Sequence, residues 1–271
     1  MTSKIITIAK TTFLNALRKR VFQIIFIFGV IIILSTQFFT FFTFGEEIKI
    51  LKDVGMAGIT FFSLIISIVI GSSQIQSDLE KKTIYTVLSC PVSRRQYLIG
   101  KAIGVICYVT FAILLLSLVF YIALSAKTYS IEKKVGEEAR FGFATFAYNV
   151  ELLKGIYLII IKGGILVSLA ILLSMFFHQT FNIIACFLIY IVGHLTQIAG
   201  NLAESGGKVI GLIMLGFYYL FPNFEFFNIS DYIAVGKIIS FRYVFTVGAY
   251  GILYSVMLIY IASELFSKKE V

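Results

Sequence analysis

The stretch GGILVSLAILLSMFFHQTFNIIACFLIYIVGHLTQIAGNLA, Gly163–Ala203, runs for 41 residues without an Asp, Glu, Lys or Arg. As one helix it would be about 62 Å long, twice the roughly 30 Å of a bilayer's hydrocarbon layer. It must therefore turn back on itself. The only polar break is His178-Gln179-Thr180-Phe181-Asn182, which divides the run into spans at about 155–177 and 181–200. Four further uncharged runs each suffice for one crossing and place spans at about 21–45, 54–76, 101–126 and 243–264. Val209–Phe224 is also uncharged but has only 16 residues, interrupted by Gly211, Gly216 and Pro222. At about 24 Å it is too short to span, so the segment 206–228 reads as re-entrant or lying at the outer surface. The expected fold is an all-α polytopic membrane protein, one domain over 1–271 with six transmembrane helices.

Composition agrees. Of the 271 residues 59% are hydrophobic and 14% charged, against roughly 25% charged in soluble domains. With a mean hydropathy of +0.96, this excludes an ordinary cytosolic enzyme, a disordered chain and a nucleic-acid-binding domain. The net charge of +9 comes from Lys and Arg flanking the apolar runs, as orientation signals do. With the N-terminus inside, inner segments hold 12 Lys/Arg and outer loops 10, while acidic residues divide 4 inside and 10 outside. Both termini are therefore expected in the cytoplasm. The three cysteines, Cys90, Cys107 and Cys186, form no disulfide pattern, and the last two read as buried in apolar runs. The first run is too long for a signal-peptide core and is expected to stay as an anchor.

Residues 3–20 precede that run. Ile5, Ala9, Phe13 and Leu17 recur every four residues, with Ile6 and Ala16 beside them, while Lys4, Lys10 and Arg18 fall elsewhere. This is an amphipathic helix suited to the inner interface. Arg18, Lys19 and Arg20 then mark the membrane boundary. The helix reads either as a topology signal or as an elbow lying flat near a partner subunit.

The loop 77–98 is more specific. Ser77-x-x-Glu80 and Ser93-x-x-Gln96 are capping boxes. The first is expected to start a short helix with Leu79, Thr83, Ile84, Val87 and Leu88 on one face, ended by Pro91; the second starts the helix rising into the third span. A connector this well defined suits docking or force transmission.

At these residues the chain resembles the permease subunits of ABC-2 class ATP-binding-cassette transporters. The pattern is Glu80-x-x-Thr83-Ile84-x-x-x-Leu88-Ser89-x-Pro91-Val92-Ser93-Arg94, then Gly100-Lys101, between the second and third of six spans. Leu220-Phe221-Pro222-Asn223-Phe224-Glu225-Phe226-Phe227-Asn228 before the last span is similar to a second signature of that family. The likeness is nearest to the branch of multicopper-enzyme maturation permeases, whose namesake serves nitrous oxide reductase. It implies that 77–98 carries a coupling helix seated in a cytosolic ATPase, with Asp78, Glu80, Thr83, Ile84, Val87, Leu88, Pro91 and Arg94 at that interface. It implies that Pro222, Asn223, Phe226 and Asn228 form an outer gate or turn. The implied partners are the ATPase, a second copy of the chain or a related permease, an extracytoplasmic accessory protein and the bilayer of a bacterial or archaeal plasma membrane, with no nucleic acid. ATP and Mg would be held by the ATPase, and no cofactor by this chain.

The sequence contains no G-x-x-x-x-G-K-[ST] phosphate loop, so no enzymatic activity is expected of it. No metal site is expected either: His178 and His194 lie about four helical turns apart, and the methionines form no M-x-x-M array. Lys162 is the one formal charge inside an expected span. It either snorkels to the outer surface or serves the path of an anionic substrate. His194 either bonds a neighbouring helix or lines that path. A scaffold that docks a cytosolic partner without transport is the rival to the permease reading.

Overall fold

The computed structural model describes residues 2–39, 47–80, 93–135, 143–195 and 221–268. Among them there is no strand. The helices are α1 (Thr2–Arg18), α2 (Arg20–Phe39), α3 (Glu47–Glu80), α4 (Arg94–Val135), α5 (Phe143–Leu173), α6 (Gln179–His194), α7 (Ser230–Val235) and α8 (Phe241–Lys268), with a 3-10 turn at Glu225–Phe227 before α7. Four of them contain stretches long and apolar enough to cross a membrane: Ile48–Asp78, Arg94–Tyr129, Val150–Leu173 and Phe241–Lys268. Phe22–Thr36 and Gln179–His194 are shorter apolar helices.

Contacts fix the helix directions. Asp78 meets Tyr97 while Gly55 faces Phe120, so α3 and α4 run oppositely. Met56 touches Gly155, Ser67 touches Gly163 and Ala170 touches Gly71, so α3 and α5 run together. Tyr157, Ile161 and Ser255 pair with Gly248, Gly251 and Gly164 in step, which aligns α8 with α5. Asn182 donates to the Ala170 carbonyl at 2.9 Å and His194 lies against Lys162, so α6 returns antiparallel. The start of α2, the roots of the 81–92 segment and the end of α8 therefore share one end of the bundle.

α5 is the central helix, touching α3, α4, α6, α7, α8 and the 3-10 turn. Its uncharged run explains this place: every residue from Ile165 to Ile171 is buried. Sequence placed Glu151 and Lys154 in an outer loop and Lys52 in another. The structure instead buries all three within helices, because α5 and α3 begin several residues before their uncharged runs. Cys107 is also corrected: it is exposed on α4, whereas Cys186 is buried as expected.

α1 runs lengthwise along α4. Ile5 and Ile8 sit against Gly100, Ala9 and Thr12 against Gly104, and the Phe13 ring lies 6.1 Å from Tyr108 and 5.8 Å from Phe111. The small residues of Gly100-x-x-x-Gly104 let the backbones approach. Ile6 departs from the expected stripe and is 65% exposed, because the buried face turns toward Ile8 and Thr12. The helix breaks at Lys19, whose ammonium reaches Ser73 Oγ at 3.4 Å and lies over Phe22. A Cβ at Gly104 would stand 2.6 Å from the Ala9 carbonyl oxygen, which is backbone and cannot rotate away. Gly104→Leu should therefore lift α1 off α4, as overpacking costs about 1–3 kcal/mol or more. In a chain cleared of its native cysteines, a Phe13→Cys/Tyr108→Cys pair should cross-link readily, and Gly104→Leu should cut that yield severalfold. Unchanged yield would contradict the close α1–α4 approach.

Candidate functional site

Among the described residues, two polar centres gather side chains that the sequence singles out. The first lies at the root of the loop whose motif carries the family likeness. Asp78, in the last turn of α3, forms an ion pair with Lys101 and accepts a hydrogen bond from the Tyr97 hydroxyl. Lys101 also donates to the Gln74 carbonyl at 3.4 Å. Tyr97 stacks on Phe266 of α8, and Arg95 pairs with Glu264 at 2.9 Å. The two ends of the 81–92 segment are thus tied together and to α8. The Arg95–Glu264 pair is largely exposed and contributes little; Lys101 is nearly buried, so its partner matters more.

The Ser93 capping box is present: the Gln96 amide donates to Ser93 Oγ at 3.3 Å, and the Ser93 amide donates to Gln96 Oε1 at 3.2 Å. The box at Ser77 is a correction. Helix α3 continues through Glu80, so Ser77 is helix interior and starts nothing; the apolar run of α3 and the Asp78 ties carry the helix past it. Thr83, Ile84, Val87, Leu88 and Pro91 lie outside the described residues, and Glu80 is described only as the last residue of α3. Arg94 is half-buried at the start of α4. Beside it opens a hollow of about 660 Å³ lined by Ile5, Arg94, Arg95, Gln96, Ile99 and Ser267.

The second centre is built on Lys162 of α5. Its ammonium lies 3.4 Å from His194 Nε2 and 5.0 Å from the centre of the Tyr190 ring. His194 Nδ1 lies 2.8 Å from Glu225 Oε2. A carboxylate can only accept, so Nδ1 carries the proton and Nε2 is left to accept from Lys162. Lys162 is 4% exposed: its ammonium ends on the half-buried His194 instead of reaching the surface. Phe224 is fully buried, tilted on Tyr190 and His194.

The 222–228 turn brings Glu225 there. The Phe224 amide donates to the Gly193 carbonyl at 3.1 Å, and a Cβ at Gly193 would stand 2.6 Å from the Pro222 oxygen. Only glycine lets the turn come this near. The Asn223 amide donates to the Tyr250 oxygen at 3.2 Å, and Asn223 Oδ1 accepts from the Glu225 amide at 3.0 Å. Asn223 Nδ2 is buried and has no hydrogen-bond partner among the described residues. The Phe226 carbonyl accepts from Tyr243, and Asn228 is exposed beside Glu225. Of the sequence-derived residues, Lys162 and His194 thus come together, whereas Pro222, Asn223, Phe226 and Asn228 build the turn that carries Glu225 to them.

Sequence reasoning missed Glu225 as the third member, Tyr97 and Lys101 as partners of Asp78, and the buried Glu151–Lys154 pair, which its i,i+3 spacing could have suggested. Among the described residues, no group of three His, Cys, Asp or Glu could hold a metal.

A comparison with curated proteins gives no match. Residues 48–152, which bracket the 81–92 segment and include Asp78, Tyr97 and Lys101, match a family model described as ABC-2 family transporter protein.

Proposed function

We propose that this chain is the membrane permease subunit of an ATP-binding-cassette transporter, in which a separate cytosolic ATPase docks on the 81–92 segment. The observation that carries this reading is the family match over 48–152, which contains a segment whose two roots are tied by Asp78, Tyr97 and Lys101. A push on that segment is delivered to α3 and α4 together, and α5, which touches both, passes it to the Lys162 centre. The six uncharged runs then form six spans, with both termini cytoplasmic in a bacterial or archaeal plasma membrane. Two copies, or one with a related permease, line the path for export. ATP and Mg belong to the ATPase. Membership of the multicopper-enzyme maturation branch is part of the same proposal and rests on the sequence motifs.

Leu88→Asp tests the docking. A charge in a contact that excludes water is strongly unfavourable, so recovery of the ATPase with the membrane chain should fall at least tenfold at equal membrane levels. Undiminished recovery would favour a scaffold with no coupling helix.

A further inference from the structure

The hollow beside Arg94 lies at a level that the charges of three helices define. Asp78 is the first charge after the uncharged run of α3, Lys101 the last before that of α4, and Glu264 the first after that of α8. Asp78 pairs with Lys101 and Glu264 with Arg95, so these charges gather at one end of the bundle. That is where a hydrocarbon layer stops and headgroups begin. Arg95 lines the hollow, which therefore opens at headgroup level. Apolar Ile5 of α1 and Ile99 of α4 share its lining with Arg94 and Arg95. Glu264 does not saturate Arg95: both carboxylate oxygens meet the same nitrogen, Nη2, at 2.9 and 3.0 Å. Nη1 and Nε have no partner among the described residues, and the side chain is 59% exposed. The neighbouring helix has the same character. Neither α1 nor α2 contains an Asp or Glu, while Lys4 and Lys10 are exposed on α1 and Ile6, next to Ile5, is 65% exposed. Cations interspersed with exposed apolar side chains, and no acid among them, suit the boundary between headgroups and acyl chains rather than water or an acidic protein surface.

From this we infer that the hollow holds the headgroup of an anionic phospholipid from the leaflet at this end of the bundle. Arg94 and Arg95 supply the charge, and the donors that Glu264 leaves on Arg95 meet a phosphate oxygen. The acyl chains leave past Ile5 and Ile6. The volume of about 660 Å³ is ample for a headgroup and its glycerol. Because the walls come from α1, α4 and, through Ser267, α8, the lipid joins three helices beside the root of the 81–92 segment. The site needs no ATPase, so it stands apart from the docking reading.

The test uses the full chain, cleared of its native cysteines and carrying a bimane fluorophore on Ile6→Cys, in phosphatidylcholine nanodiscs without ATPase. Phosphatidylglycerol or phosphatidylcholine bearing a nitroxide on the acyl chain near the headgroup is added, and quenching is followed against mole fraction. Two basic side chains at the headgroup should make half-quenching by phosphatidylglycerol occur at a mole fraction about tenfold lower than by phosphatidylcholine. Arg94→Gln/Arg95→Gln should abolish that preference, and Arg94→Lys/Arg95→Lys should keep part of it, since charge survives but guanidinium geometry does not. Arg18→Gln/Arg20→Gln removes the same charge from the other end of α1 and should leave the preference intact. An equal loss there would reduce the effect to bulk attraction by a basic protein and overturn the site. Glycerol 3-phosphate at millimolar concentration brings the phosphate without the chains and should not relieve the quenching; full relief would assign the hollow to a free phosphate instead. An unchanged preference in Arg94→Gln/Arg95→Gln overturns the inference outright. If recovery of the ATPase falls in that same variant, the hollow belongs to the ATPase.

Discussion

Glu151→Ala is expected to be the most destabilising single change in the described part of the chain. Glu151 and Lys154, 7% and 6% exposed, pair at 2.6 Å. Together they grip one residue of the 237–240 link between α7 and α8: Lys154 donates to the Ile239 carbonyl at 2.7 Å, and Glu151 Oε2 accepts from the Ile239 amide at 3.2 Å. The Lys154 ammonium also lies 4.1 Å from the centre of the Phe241 ring. Removing one member of a buried pair costs about 3–5 kcal/mol, because the other charge stays buried. Here the Ile239 amide is orphaned too, at roughly 1–3 kcal/mol. The double change Glu151→Ala/Lys154→Met removes the stranded charge but leaves both Ile239 groups unmet, so it should recover only part of the loss. The measurement is the fraction of monodisperse protein remaining after a heating series in mild detergent. A single variant as heat-resistant as the parent would contradict the pairing.

The same pair shows where sequence reading reaches its limit. Uncharged runs located the apolar helices well, because hydrocarbon tolerates few charges and the runs are long. The need to turn back followed from the length of Gly163–Ala203, and the polar break at 178–182 placed the turn a few residues beyond the observed one at 174–178, where α6 already begins at Gln179. Charges at helix ends were misplaced for a related reason. Lys52, Glu151 and Lys154 interrupt the apolar runs and read as loop, yet each extends a helix whose neighbours bury it. Composition cannot tell a charge facing water from one facing a partner. Lys162 and His194 stood out as polar residues in apolar runs, but Glu225 did not, since nothing in its spacing reveals that the turn folds back to Gly193. Ser77 misled through a local rule: a capping box is a signal only where a helix begins, and α3 was already under way. At Ser93, where a helix does begin, the same rule held in both of its hydrogen bonds.

Asp78→Asn should separate docking from coupling. The change leaves 81–92 intact, so the ATPase should still be recovered with the membrane chain, unlike with Leu88→Asp. What it removes is the charge that Lys101 and Tyr97 hold across the loop's root. The side chains are 10% and 22% exposed at Lys101 and Asp78, so the loss should fall below that of a fully buried pair, at about 2–3 kcal/mol. Lys101 keeps the Gln74 carbonyl, which anchors it to α3 but carries no full charge. The ends of α3 and α4 then move independently, and a push on the loop no longer reaches both. Stimulation of the ATPase by the membrane chain should fall at least tenfold while recovery stays within twofold. Exchanging the charges, Asp78→Lys with Lys101→Asp, restores an ion pair across the same gap, with Tyr97 Oη accepting where it had donated, and should bring back a substantial part of the stimulation. Full stimulation with Asp78→Asn alone would remove this tie from the coupling route. Loss of recovery together with stimulation would place Asp78 in the docking surface, where the family likeness puts it.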